Sequence, residues 1–325
     1  MRDLLFFLFC LLACPGAAQP RPTPPPDSLR PLSPARWLRY TYANDLFFRT
    51  DYYFTQGMSL TLVHPALARL PTQRLLAPGP RGSEQTHGVL LRYDGFTPLR
   101  IQDAFVRVGD RPYAAYLYAA FFRESRTPHG GTRLTTALEL GFIGPAAGGR
   151  QLQTTLHRLT GNAEPRGWAH QIRNAGVLGY RVAYARRLLA APGRFEAVGT
   201  GEASLGTLYT YAGAGVRLRA GRFTSDLAAW DERRPVASRW QLSGQATLEG
   251  RAIGYDATLQ GGLFGADDPY VLGPDAVRRG VLRGSGGLGL ARGGLHLAAL
   301  ATWVTPEFAG GRPHRWGQLE LTVGL

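Results

Sequence analysis

Residues 241–251 read QLSGQATLEGR, and their alternation decides the architecture. Leu242, Gly244, Ala246 and Leu248 fall on one side of an extended chain. Gln241, Ser243, Gln245, Thr247, Glu249 and Arg251 fall on the other. Successive side chains of a strand point to opposite faces, so this segment is a strand with one apolar and one polar face. The pattern recurs at Leu38, Tyr40 and Tyr42, at Leu134, Thr136, Leu138, Leu140 and Phe142, and at Leu319, Leu321, Val323 and Leu325.

Many such strands build either a soluble sandwich or a transmembrane barrel. Here the polar faces carry Arg, Glu and Gln at strand centres, which suits a wet lumen, and aromatic residues gather near strand ends. Charged residues make up 18% of the chain, below the roughly 25% of soluble domains, and glycine is abundant at 42. The expectation is therefore all-β: an antiparallel transmembrane β-barrel of about twelve strands over residues 36–325. Leu138, Leu248 and Leu321 should face lipid, and Glu139, Glu249 and Glu320 the lumen.

The formal charge of +14 is carried by arginine, since the chain has no lysine. With 44% hydrophobic residues the chain has ample apolar surface to bury, which excludes a disordered protein. Its longest apolar run, Leu4–Ala13, falls short of the ~18 residues of a spanning helix. That run follows Arg2 and precedes Gly16-Ala17-Ala18, the pattern of an export signal over residues 1–18. A lipoprotein signal at Cys14 is the competing reading. Cleavage after Ala18 removes both Cys10 and Cys14, and with them disulfides and thiolate chemistry. Residues 19–35 are proline-dense and read as a flexible leader. An exported chain has little access to nucleic acid, so the arginine excess points to lumen lining or to an anionic lipid.

One segment breaks the strand rhythm. Ala147–Leu159 lacks alternation and has helical spacing, which sets Gln153 and His157 four apart on one face. His64, His87, His129 and His314 read instead as solvated side chains on loops and strand ends.

The run Gly141–Pro145 (GFIGP), followed by Gln153, His157, Gly161, Trp168, Gln171 and Asn174, resembles the signature of the LpxR family, the outer-membrane lipid A 3′-O-deacylases. Two upstream blocks agree: Asn44-Asp45 with Thr50-Asp51-Tyr52-Tyr53-Phe54-Thr55-Gln56-Gly57, and Asp110-Arg111-Pro112-Tyr113-Ala114-Ala115-Tyr116-Leu117-Tyr118. The resemblance implies a twelve-stranded outer-membrane barrel, a monomer, that acts on lipopolysaccharide. It would hydrolyse the ester holding the 3′ acyloxyacyl chain of lipid A with the help of calcium. By the same resemblance His157 is the catalytic base, with Asn44, Asp45 and Thr55 as its site partners; calcium prefers oxygen ligands, so Asp45 is the candidate metal ligand. Arg100, Arg111 and Gln153 are the substrate-binding candidates. Arg100 and Arg107 stand in the stretch where the family has a basic residue, and the family's acid after the histidine falls on Ala163, beside Glu164.

These residue types also make chemical sense alone. Ester hydrolysis needs water made nucleophilic near neutral pH, and imidazole titrates in that range. The oxyanion needs donors or a cation, which the Asn44 amide, the Thr55 hydroxyl or a metal on Asp45 could supply. Trp168, Gln171 and Asn174 read as braces for the helix. No Gly-x-Ser-x-Gly elbow occurs. The alternative is a barrel without catalysis, a pore or structural protein.

Overall fold

Pairing of Trp37 with Gly324 through Asn44 with Gly317 joins the first strand to the last and closes the sheet. The computed structural model describes residues 35–48, 50, 52–127, 130–228, 239–264 and 267–325. The export segment, the leader up to residue 34, Asp51 and His129 lie outside the described residues.

Twelve strands follow in chain order: β1 (Trp37–Asn44), β2 (Tyr53–Val63), β3 (Glu84–Thr97), β4 (Ala114–Arg126), β5 (Thr132–Ile143) and β6 (Ala175–Ala191), then β7 (Phe195–Gly206), β8 (Tyr209–Gly221), β9 (Gln241–Asp256), β10 (Gly280–Arg292), β11 (Leu295–Val304) and β12 (His314–Gly324). Each pairs antiparallel with its neighbours in sequence to form a closed barrel. Among the described residues, two helices interrupt the connections: α1 (Gly149–Thr160) and the single turn α2 (Ala257–Gln260).

The alternation read from the sequence sorts the side chains as expected. Leu248 and Leu321 are 59% and 40% exposed on the outside, while Glu139 and Glu320 line the central cavity of about 410 Å³. Inside, acids meet arginines: Arg39 with Glu320 at 3.3 Å, Arg92 with Asp94 at 2.8 Å, Arg181 with Glu139 at 3.1 Å and Arg251 with Glu249 at 2.8 Å. Desolvated charges are tolerated only when paired, and these one-to-one pairs neutralise much of the charge that lines the lumen.

Both ends of the lumen are obstructed. At one end Tyr53, Leu259, Leu272, Val277 and Phe308 form an apolar cluster over the opening. At the other, the β8–β9 connection turns inward: Asp226 meets Arg133 and Arg217, each at 2.7 Å, and Leu227 is fully buried.

The β2–β3 connection, residues 64–83, takes a different course. It makes two short 3₁₀ turns, Pro65–Arg69 and Pro71–Leu75, and lies against the outer wall of β3–β6. Arg123 donates to the Leu76 and Gln73 carbonyls at 3.0 and 2.7 Å, and Thr136 Oγ1 donates to the Ala77 carbonyl at 3.0 Å. The Ala77 amide donates to Tyr180 and the Gly79 amide to Ser125. Two histidines expected in solvent are buried instead. His87 sits beneath this strap, 2.8 Å from Gln73 Oε1, and His314 stacks on Trp316 with the Tyr53 ring edge-on.

Candidate active site

The outer wall of the barrel, beside α1, is where the predicted residues meet. Register explains how they come to face outward. Asn44 pairs with Gln56 across β1–β2, and Gly57 pairs with Asp94, which lines the lumen. Asn44 and Gln56 therefore point the other way, to the outside. Between Phe54 and Gln56 the β2–β3 register shifts by a bulge, so Thr55 has no partner on β3. A bulge re-aims side chains, and here it turns Thr55 outward next to Gln56 while Phe54 stays inside against Phe96 and Trp316. Just upstream Tyr53 holds a φ of 65°, an uncommon region for an aromatic residue. Its hydroxyl accepts the Arg312 amide at 3.2 Å and its ring packs on Phe308, which fixes that conformation.

Against this wall lies α1. The expected helix over 147–159 starts at Gly149, after a 3₁₀ turn at Pro145–Ala147, and ends at Thr160 because Gly161 takes the left-handed conformation. Gly149 sets the closeness of packing: a Cβ there would lie 2.6 Å from both the Ala115 Cβ and the Trp168 ring. Gln153 and His157 share the buried face as predicted, and Arg150 and Arg158 lie on the exposed one. Tyr93, Tyr113, Ala115 and Trp168 fill the space between helix and wall, with Leu117 and Leu152 packed around them.

A chain of hydrogen bonds crosses this interface. Trp168 Nε1 donates to Gln153 Oε1 at 2.7 Å, and Gln153 Nε2 donates to Thr55 Oγ1 at 3.4 Å. Gln56 Nε2 reaches the Tyr93 hydroxyl at 3.3 Å. The helix brace expected of Trp168 and Asn174 is visible, since Asn174 Oδ1 also accepts the Ala146 amide at 2.9 Å. Gln171 contributes through its main chain, its amide donating to the Trp168 carbonyl at 3.3 Å.

His157 Nδ1 lies 2.6 Å from the Ala163 carbonyl oxygen. A carbonyl only accepts, so Nδ1 carries the hydrogen, and in the neutral ring Nε2 carries the lone pair. The turn after α1 delivers this carbonyl: the Asn162 amide donates to the His157 carbonyl at 2.9 Å and directs the chain back. The orienting group is thus a backbone oxygen at Ala163, and Glu164 beside it is exposed. Gln153, one of the substrate-binding candidates, joins Trp168 to Thr55.

Asn44, Asp45, Thr55, Gln153 and His157 are all buried. Asn44 Oδ1 accepts the Leu46 amide at 2.7 Å, which leaves its Nδ2 as the donor end. Asp45 Oδ2 accepts the Tyr52 amide at 3.0 Å, and its carbonyl accepts the Thr50 amide and hydroxyl at 3.4 and 3.3 Å. No group of three or more His, Cys, Asp or Glu able to hold a metal occurs among the described residues. A cation here would depend on the single Asp45 carboxylate together with neutral oxygens of Asn44, Thr55 or the main chain. That all-oxygen set suits a hard ion such as calcium and not a soft one.

Two substrate-binding candidates separate. Arg100 is exposed on the β3–β4 connection, which packs beside the turn after α1 through Arg166 N to Ile101 O at 2.8 Å. Arg111 is not brought to the helix. Its guanidinium stacks over Phe96 at 4.4 Å and donates to Glu307 at 2.6 Å and Thr258 Oγ1 at 2.7 Å, on the lumen side. It latches the loops that cover the barrel mouth, since Glu307 lies in the β11–β12 connection and Thr258 in α2. Arg107 is likewise engaged, bridging Asp103 and Asp110 at 2.5 and 3.1 Å.

The family model described as "Outer membrane protein LpxR" matches residues 5–325. No curated protein sequence matches. Among solved structures, LpxR from Salmonella typhimurium superposes with a TM-score of 0.70 at 19% identity, covering 89% of this chain and 100% of that one. The β domain of the Bordetella autotransporter BrkA gives a TM-score of 0.43 at 14% identity, over 89% of this chain and 98% of that one. The structural likeness establishes the shared fold, and the family match runs through the blocks that build the α1 site; the chain belongs to the LpxR family of outer membrane proteins.

Proposed function

We propose that this protein is a lipid A 3′-O-deacylase that works from the outer wall of its barrel. The reading rests on one observation above others: His157, its tautomer set by the Ala163 carbonyl, lies in a buried cluster with Gln153 and Thr55 on the lipid-facing side of the barrel. A pore needs polar chemistry in its lumen, and here the lumen is filled with paired charges and obstructed at both ends. Residues 1–18 would direct export.

In this mechanism His157 Nε2 takes a proton from water as the water oxygen attacks the ester carbonyl carbon. The Asn44 amide donates to the oxyanion that forms. Collapse of that intermediate breaks the bond to the sugar oxygen, which receives the proton back from His157. The products are a free acyloxyacyl acid and the sugar's 3′-hydroxyl. Gln153 holds the Thr55 hydroxyl in place, and Trp168 holds Gln153. Asp45 would hold calcium, which supplies positive charge for the oxyanion when bound. Exposed Arg100, Arg150 and Arg158 lie on the same side of the barrel and suit the phosphates of lipid A.

Mass spectrometry of lipid A from cells with and without the protein tests the reading. Loss of the 3′ acyloxyacyl chain in producing cells, and its retention with His157→Ala, is the expected result. Unchanged lipid A in cells whose membranes contain the folded barrel would favour a non-catalytic barrel.

A further inference from the structure

The strap formed by residues 64–83 poses a physical problem that α1 sharpens. On β3, His87 lies beneath the strap and Tyr93 beneath the helix, so only Val89 and Leu91 remain on the outer face between them. On β4 the corresponding uncovered residues are Ala119 and Phe121. Six residues separate His87 from Tyr93, about 20 Å along a strand and about 15 Å along the membrane normal after a tilt of about 40°. The usual apolar band is about 25 Å tall. The far wall has no such limit: on β9 outward side chains run uncovered from Leu242 to Gly254, twice as many residues.

The strap is polar where it meets the wall and basic where it meets the surroundings. Gln73 Nε2, Ser83 Oγ and Gln85 Nε2 are buried with no hydrogen-bond partner among the described residues. Donors of that kind are not stable under hydrocarbon, which places this seam at headgroup level. Arg69, Arg74 and Arg81 are exposed, no acid occurs in residues 64–83, and Leu75 projects outward beside them. Exposed arginines flanking an apolar side chain are the chemistry of an interfacial element that meets lipid phosphate. The longer connections, 144–174 and 257–279, lie at the opposite end of the barrel, so the strap end faces the periplasm.

We propose that residues 64–83 form a headgroup collar: Arg69, Arg74 and Arg81 seat the phosphates of inner-leaflet anionic phospholipids part-way up the wall and thin the bilayer directly beneath α1. The collar acts whether or not the α1 site is a deacylase, and its test uses no turnover.

Single cysteines replace Leu91 and, on the far wall, Leu248, in a full chain with Cys10→Ser and Cys14→Ser. Each carries a nitroxide label in vesicles of phosphatidylethanolamine and phosphatidylglycerol. Collision rates with oxygen and with a water-soluble nickel chelate report depth. The nickel-to-oxygen ratio should be several-fold higher at position 91 than at 248, and the triple variant Arg69→Gln, Arg74→Gln, Arg81→Gln should bring 91 towards the value at 248. Equal ratios at the two positions in the parent chain would overturn the thinning. A ratio at 91 unmoved by the triple variant, in protein whose heat-modifiable gel mobility shows a folded barrel, would overturn the assignment to the arginines.

Discussion

Replacing Gly149 by alanine should inactivate the site while leaving the barrel folded. The added Cβ would lie 2.6 Å from the Ala115 Cβ and from the Trp168 ring, so α1 must retreat by about 0.8 Å to restore an ordinary contact. Neither neighbour yields easily: Ala115 is fully buried in β4, and Trp168 is tied to Gln153. Gly149 is the first residue of the helix, where the interior preference for alanine has little weight, and overpacking costs roughly 1–3 kcal/mol. That cost falls on the docking of α1, which persists but stands off the wall. The displacement passes to Gln153, one turn on, and to His157, two turns on. Misplacement of catalytic groups by about 1 Å can cost on the order of 10²-fold in rate, and that is the expected loss. The assay is release of the 3′ chain from lipid A in detergent by purified protein, read by mass spectrometry. Gly176→Ala, where a Cβ meets open space, serves as the control and should behave as the parent. Wild-type turnover by a folded Gly149→Ala protein would refute the argument that the spacing of helix and wall sets the chemistry.

Three further outcomes follow from the same geometry. His157→Ala should lower turnover by roughly 10²–10⁴-fold with little change in substrate binding, whereas His170→Ala, which loses only a contact to the Ala104 carbonyl, should cost far less; single-turnover kinetics separate the two. Asp45→Asn should remove most activity and the response to added calcium while the barrel still folds, and activity that survives both the change and exhaustive chelation would eliminate the cation from the mechanism. Burial pushes the Asp226 carboxyl up, but Arg133 and Arg217 outweigh it and hold the group below the usual range. A depressed folded value gives stability that is full above the unfolded value of about 3.9 and is lost as pH falls through the folded one. Asp226→Asn should therefore lower the Tm at neutral pH, and the gap should close in acid; a pH-independent gap would contradict the ion-pair account.

Much of the barrel could be read in advance because a strand carries its own orientation in every second residue. Glu139 and Leu140, or Glu320 and Leu321, are sorted to opposite faces by parity alone. The helix was legible for the opposite reason, as the place where parity fails and Gln153 and His157 fall into helical step. Other features leave no such trace. The carbonyl that orients His157 belongs to Ala163, and every residue type has a carbonyl. Arg111 sits beside Pro112 and Tyr113 in sequence, yet its partners Thr258 and Glu307 are far along the chain, so its place in the lumen closure depends on tertiary structure. His87 and Arg123 look like polar interruptions of an outward face until residues 73–76 are laid over them. The bulge at Thr55 is a departure from alternation by one residue, too small to separate from ordinary variation without the partner strand.

Placing Thr55, Gln153 and His157 on the outside of the barrel changes what concentration means for this protein. Ligands that reach such a site travel in two dimensions, within a leaflet. Occupancy then follows their mole fraction among the surrounding lipids and their lateral mobility, and dilution of the bulk solution leaves it untouched. The same placement would make an inhibitor's partition into the membrane as decisive as its fit to the site.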